Sequence, residues 1–166
     1  MKRFTAPAIA AVTLAAGLAA GHAAASLDIE RNVSMTDDGG GTLTLITSAS
    51  RDAVGGSSIT TATFTGFQPR DDGRIIDGEI VRERERTAEQ LETVYHGVLE
   101  MQVPAQASEP ARLNTLAFEN LTVTRSGEGP EFSGRVIYNG ESRDASELPR
   151  RALIMLRKTL RFFHFA

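Results

Sequence analysis

The chain has 166 residues, no cysteine, 18 lysines and arginines against 21 acids, and a formal net charge of −3. Without cysteine there is no disulfide framework, no thiolate nucleophile, no iron–sulfur ligation and no thiolate zinc site. A length of this order suits one domain with a core of its own.

Residues 1–25 read as a cleavable signal peptide. Lys2 and Arg3 form a basic start, and Ile9 to Ala20 is an Ala/Leu-rich apolar run. Gly21-His22-Ala23 or Ala23-Ala24-Ala25 then supplies the small residues that a signal peptidase reads. The run is too short and too poor in large side chains for a spanning helix. The expectation is a protein exported to the periplasm or secreted, with residues 26–166 as a single β-rich domain.

Charge is unevenly placed. All 21 acids lie between Asp28 and Glu147. From Leu148 onward stand Arg150, Arg151, Arg157, Lys158 and Arg161 with no acid among them. An acidic body with a basic tail argues against nucleic acid as the partner. It fits a tail folded onto its own body, a peripheral contact of those five cations with membrane or lipid, or a protein partner in the cell envelope.

In chain order, Ser26 to Val33 reads as an irregular edge strand and Asp37 to Gly41 as a loop. Thr42 to Leu45 alternates polar and apolar in strand-forming residues, and Ile59 to Phe67 is a threonine-rich strand. Asp71-Asp72-Gly73 is turn chemistry. Arg74 to Arg84 is a strand that runs on into the charge alternation Arg82-Glu83-Arg84-Glu85-Arg86, read as a solvated end with cross-strand ion pairs. Thr87-Ala88-Glu89-Gln90 fits a capping box and predicts one helical turn. Thr93 to Val103 is the cleanest strand, and Leu113 to Arg125 breaks phase at Glu119-Asn120, which predicts a bulge. Glu131 to Tyr138 is the last predicted strand, ended by Asn139-Gly140.

Three of these strands share one design. Gly78 stands between Ile76 and Ile80, Gly97 between Tyr95 and Leu99, and Gly134 between Phe132 and Val136. Side chains alternate faces along a strand, so each glycine shares a face with its apolar neighbours. The pattern predicts a glycine-lined trough on the apolar face. The final segment changes period: Leu153, Leu156, Leu160 and Phe163 recur at helical spacing, with the cations opposite. This predicts an amphipathic helix over about 146–165, capped by Asp144 or Ser146 and tolerating Pro149 in its first turn. The expected fold is mainly β: an antiparallel meander of about six strands, curved or barrel-like, with that helix packed on the apolar face.

No residue pattern points to catalysis, a metal or a cofactor. His96 and His164 lie on polar faces without ligand spacing, and no serine occupies a nucleophile elbow. Arg74, Arg82 and Arg84 share the parity of Ile76-Gly78-Ile80 and are candidates to rim the trough and meet an anionic head group. Gly78, Gly97, Gly134, Tyr95 and Tyr138 are the candidate lining. Solvated strand-end arginines are the commoner arrangement. Three functions follow from this: a non-catalytic envelope protein of structural or interaction type, a carrier of a small apolar or anionic amphipathic ligand in the trough, and a carboxylate-dependent hydrolase.

Overall fold

The computed structural model describes residues 27–69, 72–105, 109–127 and 129–165. The signal segment, residues 1–25, lies outside them.

Eight strands follow one another: β1 (Leu27–Thr36), β2 (Thr42–Arg51), β3 (Gly56–Phe67), β4 (Ile75–Arg86), β5 (Leu91–Val103), β6 (Arg112–Ser126), β7 (Gly129–Tyr138) and β8 (Glu141–Asp144). They form one antiparallel sheet in which spatial order equals chain order. The sheet is open, with β1 and β8 as its edges. The expected six strands are therefore eight, and the barrel-like closure is absent.

The difference in strand count has local causes. β1 looked irregular because Arg31 interrupts Ile29, Val33 and Met35, yet all ten of its residues pair with β2. Ladder bonds come from the backbone and need no hydrophobic pattern. β8 reads Glu-Ser-Arg-Asp and carries no apolar signal at all. It exists because Asn139 and Gly140 both adopt positive φ (50° and 85°), the two-residue turn that returns a chain along its own strand.

The bulge in β6 falls where the phase break placed it. Its register slips against β5 between Tyr95 and Gly97, and against β7 between Glu119 and Thr122. Asn120 takes the left-handed conformation there, at φ 51°. Thr87 to Gln90 forms a turn instead of a helical one: Thr87 N donates to the Gln90 carbonyl, and Thr87 Oγ1 accepts from the Glu89 and Gln90 amides.

One face of the sheet is buried. Leu43, Leu45, Ala62, Phe64, Ile80, Leu99, Phe118, Leu121 and Val136 form its core, joined by Leu160 and Phe163 from the C-terminus. Burying a side chain of this size is worth about 1.5–3 kcal/mol. We call this the inner face.

The C-terminal segment is not one helix. A 3-10 turn spans Ala145–Glu147, α1 spans Arg150–Thr159, and a second 3-10 segment spans Leu160–Phe165. Pro149 stands at the N-cap of α1, which stops the helix from starting earlier. Asp144 caps the first 3-10 turn instead, accepting from Ser146 N at 2.9 Å. α1 itself has no buried residue. Leu156 of α1 is partly buried against the core, and full burial lies on either side of the helix, at Ala145 before it and at Leu160 and Phe163 after it. Phe162 stands edge-on to Phe64 (centroids 4.7 Å apart) and Phe163 is tilted against Tyr95 at 5.7 Å.

The glycines differ from expectation as well. Gly78 and Gly97 have φ of 119° and 129°, which only glycine adopts easily. A Cβ on Gly78 would lie 2.3 Å from the Val98 carbonyl oxygen, and one on Gly97 would lie 2.2 Å from that of Glu79. The space left by each missing side chain is thus taken by backbone of the neighbouring strand. Close approach of two strands, and not an open trough, is what these residues provide.

Candidate functional site

Strand register brings arginines together that are far apart in sequence. One row across the inner face reads Arg31, Thr47, Thr60, Arg82, Tyr95, Leu121. The next includes Ser58, Arg84, Thr93, Val123 and Phe132. The last places Arg51, Arg86 and Arg125 among Leu27, Gly56, Leu91 and Pro130. Since alternate residues share a face, Arg31, Arg51, Arg82, Arg84, Arg86 and Arg125 all belong to the inner face. They gather at the end of the sheet that carries the β2–β3, β4–β5 and β6–β7 turns.

The acids of the same strand ends have the other parity. Asp28, Glu30, Glu83, Glu85, Glu92 and Glu131 alternate with the arginines or oppose each other, as Glu85 does Glu92. The charge run of β4 is therefore a sorting device. Glu83 to Arg86 are all exposed, as a solvated strand end should be, and Glu83 reaches His96 of β5. But Arg84 pairs across the ladder with Ser58 and Thr93 and Arg86 with Gly56 and Leu91, so among the described residues the arginines of the run make no cross-strand ion pair. Among the described residues none of the six arginines is ion-paired. An unneutralised cluster of one sign raises the local concentration of counter-charged ligand.

Arg82 is the floor of this site. It is 8 % exposed. Nη1 donates to the Phe163 carbonyl and Nη2 to Thr60 Oγ1, each at 3.0 Å, and Thr60 in turn shares a 3.0 Å bond with Thr47 Oγ1. Its Nε has no partner among the described residues. Burial pulls the guanidinium below its ordinary pKa, the Arg84 charge adds to this, and Tyr95 opposes it. Burial pushes the Tyr95 phenol up, against the pull of Arg82, Arg84 and Arg125. In the ladder Arg82 lies directly opposite Tyr95, Arg84 lies opposite Thr93, the next inner-face residue of β5, and Arg125 opposite Leu91 one such position further.

The other expected site residues are dispersed. Arg74 precedes β4 at the far end of the sheet and pairs with Asp72 at 3.4 Å. Tyr138 ends β7 and is 53 % exposed. Gly134 lies opposite the β6 bulge, where a Cβ would meet the Asn120 carbonyl. Gly78 and Gly97 border a shallow depression of about 420 Å³, but it opens on the outer face among Asp77, Glu79, Val98 and Glu100. Asp77 accepts from Gly66 N and Glu79 from Thr63 Oγ1, so both carboxylates hold β3 to β4. His96 stands 4.0 Å from Glu83 on that outer side.

No group of three His, Cys, Asp or Glu among the described residues is placed to hold a metal ion. No described helix is long and apolar enough to cross a membrane. The five tail cations are all exposed, and on α1 they flank the exposed Ile154 and Met155. Arg31, Arg51 and Arg125 escaped sequence reasoning because register between strands is needed to align them, and Arg86, on the same face of β4 as Arg82 and Arg84, was read only as part of the solvated strand end. No known protein family, curated protein or solved structure matches the chain.

Proposed function

We propose that this is an exported, non-catalytic protein of the interaction type, and that it works by holding an anionic group at the arginine-lined end of the inner face. The observation that carries this reading is the sorting of charge: six arginines on one face of the strand ends, six acids on the other. A solvated surface gains nothing from such separation, since interspersed signs would neutralise one another. Guanidinium groups suit phosphate and carboxylate through their planar fork of donors. Export is supported by residues 1–25 of the sequence.

The test is a calorimetric titration of the processed chain with inorganic phosphate and dodecyl phosphate at low and high salt. Saturable, salt-weakened binding of either probe is expected, and a double Arg84→Gln, Arg125→Gln variant weakens it at unchanged thermal midpoint. Binding that the double variant leaves intact overturns the reading. So does no binding at all.

A second reading concerns α1. Ile154 and Met155 are 47 % and 62 % exposed and lie between Arg151 and Lys158 on the outward side of the helix. Apolar side chains among cations suit the interface of an anionic bilayer. Flotation with vesicles of phosphatidylglycerol, compared with phosphatidylcholine, tests this; equal partition into both, or none, sinks it.

A further inference from the structure

Arg82 is more than nine-tenths buried as a residue, its guanidinium meets no anion among the described residues, and its buried Nε has no partner among them. A buried charge without a counter-charge is costly. What occupies the anion's place is Phe163. Its carbonyl oxygen takes Nη1, and its ring stands 4.8 Å from the Arg82 Cζ. From there Phe163 stacks on Phe162 (centroids 4.6 Å apart), which packs against Phe64. A cationic end thus runs without a break into an apolar strip.

We propose that the site takes a single-chain anionic amphiphile. Its phosphate or carboxylate head meets Arg82, Arg84 and Arg125, its alkyl chain lies where Phe162 and Phe163 now lie, and the Leu160–Phe165 segment is an internal stand-in that the ligand displaces. This rests on the reading of the arginine end as an anion site, and adds the class of ligand and the exchange. The exchange is local. α1 contributes no buried residue, and its N-cap residue, Pro149, makes no side-chain capping bond. Releasing the segment frees Leu160, Phe162 and Phe163, and the alkyl chain re-covers the surface that Phe162 leaves on Phe64 and Phe163 leaves on Tyr95. A charged head supplies the Nε partner that a backbone carbonyl does not.

The test titrates the processed chain with dodecyl phosphate below its micelle concentration, inorganic phosphate and dodecyl maltoside. In parallel, tryptic cleavage after Arg157, Lys158 and Arg161 is timed with and without dodecyl phosphate. We expect dodecyl phosphate to bind, inorganic phosphate to bind at least about tenfold more weakly, and dodecyl maltoside not to bind. Dodecyl phosphate accelerates cleavage of the tail, Arg82→Met weakens its binding at least about tenfold, and Phe163→Ala strengthens it. Should inorganic phosphate bind as tightly as dodecyl phosphate, the amphiphile is overturned and the anion site stands. Should neither bind, the anion site falls and this inference with it. Dodecyl maltoside binding as well as dodecyl phosphate removes the role of the head group. Binding that leaves tail cleavage unchanged or slower removes the exchange, and that readout holds on the unaltered chain even if Phe163→Ala fails to fold.

Discussion

Arg82 and Phe163 are joined twice, by a 3.0 Å hydrogen bond from Nη1 to the carbonyl and by the guanidinium over the ring at 4.8 Å. The pair links the middle of the sheet to the end of the chain. Neither component brings a counter-charge, and the residue that makes them carries a full charge in a largely buried place.

Removal of that charge is expected to cost little. Replacing a buried ion pair by apolar residues of similar volume is often neutral or stabilising by about 1–4 kcal/mol, and removing Arg82 strands no counter-charge, only the acceptors at the Phe163 carbonyl and Thr60 Oγ1. Arg82→Met should therefore keep or raise the midpoint of urea unfolding while weakening anion binding. A loss of several kcal/mol would instead make Arg82 a strut of the fold.

The mid-strand glycines should tolerate no side chain. Gly97→Ala combines a strained φ with a Cβ 2.2 Å from the Glu79 carbonyl, and we expect about 3 kcal/mol of destabilisation or more. Gly40 has φ 86° but open space around it, so Gly40→Ala should cost only about 1 kcal/mol. Equal losses for both, measured by urea unfolding, would contradict the close approach of β4 and β5.

Tyr95 makes stability fall on the alkaline side. Burial raises its folded pKa above that of the unfolded chain, so the folded state holds its proton when the unfolded state has lost it. The contribution is whole below the unfolded value and disappears as pH rises through the folded one. Tyr95→Phe should flatten that alkaline limb in a series of thermal melts, and an unchanged slope would count against it.

Asp37 clips the β1–β2 turn to the end of β3. Its carboxylate accepts from the amides of Gly39 (2.8 Å), Gly41 (2.9 Å) and Gln68. Asp37→Ala should cost about 2 kcal/mol, since bonds to a charged acceptor are worth roughly 1.5–3. Faster hydrogen exchange at the Gln68 amide would locate the loss, and unchanged exchange there would refute the clip.

Much of the sheet was legible in the sequence because alternation carries it. β5 follows its apolar period, and the β6 bulge shows as a change of phase at Glu119-Asn120. β8 was missed because four polar residues hold no such period and only the Asn139–Gly140 turn announces them. The tail misled differently: helical spacing from Leu153 to Phe163 persists through a change to 3-10 geometry, so the pattern does not mark where α1 stops. Within the site, Arg82 and Arg84 were found because they share a strand. Arg86 shares that strand and parity too, Arg31, Arg51 and Arg125 join them through register, and Arg74 leaves them because it lies at the other end of β4. The glycine motif was read as missing volume, but its cause is backbone conformation, which residue size alone does not reveal.

The meander has a consequence for the order of assembly. Every strand bonds only to its neighbours in the chain, so hairpins can close one after another, with little loop entropy to overcome, as synthesis proceeds. Leu160 and Phe163, which cover the inner face, follow every strand in the chain. Until Leu160 and Phe163 arrive, the growing sheet holds its apolar side bare and its arginines unoccupied, and that nascent interval is when a greasy anion would meet least competition.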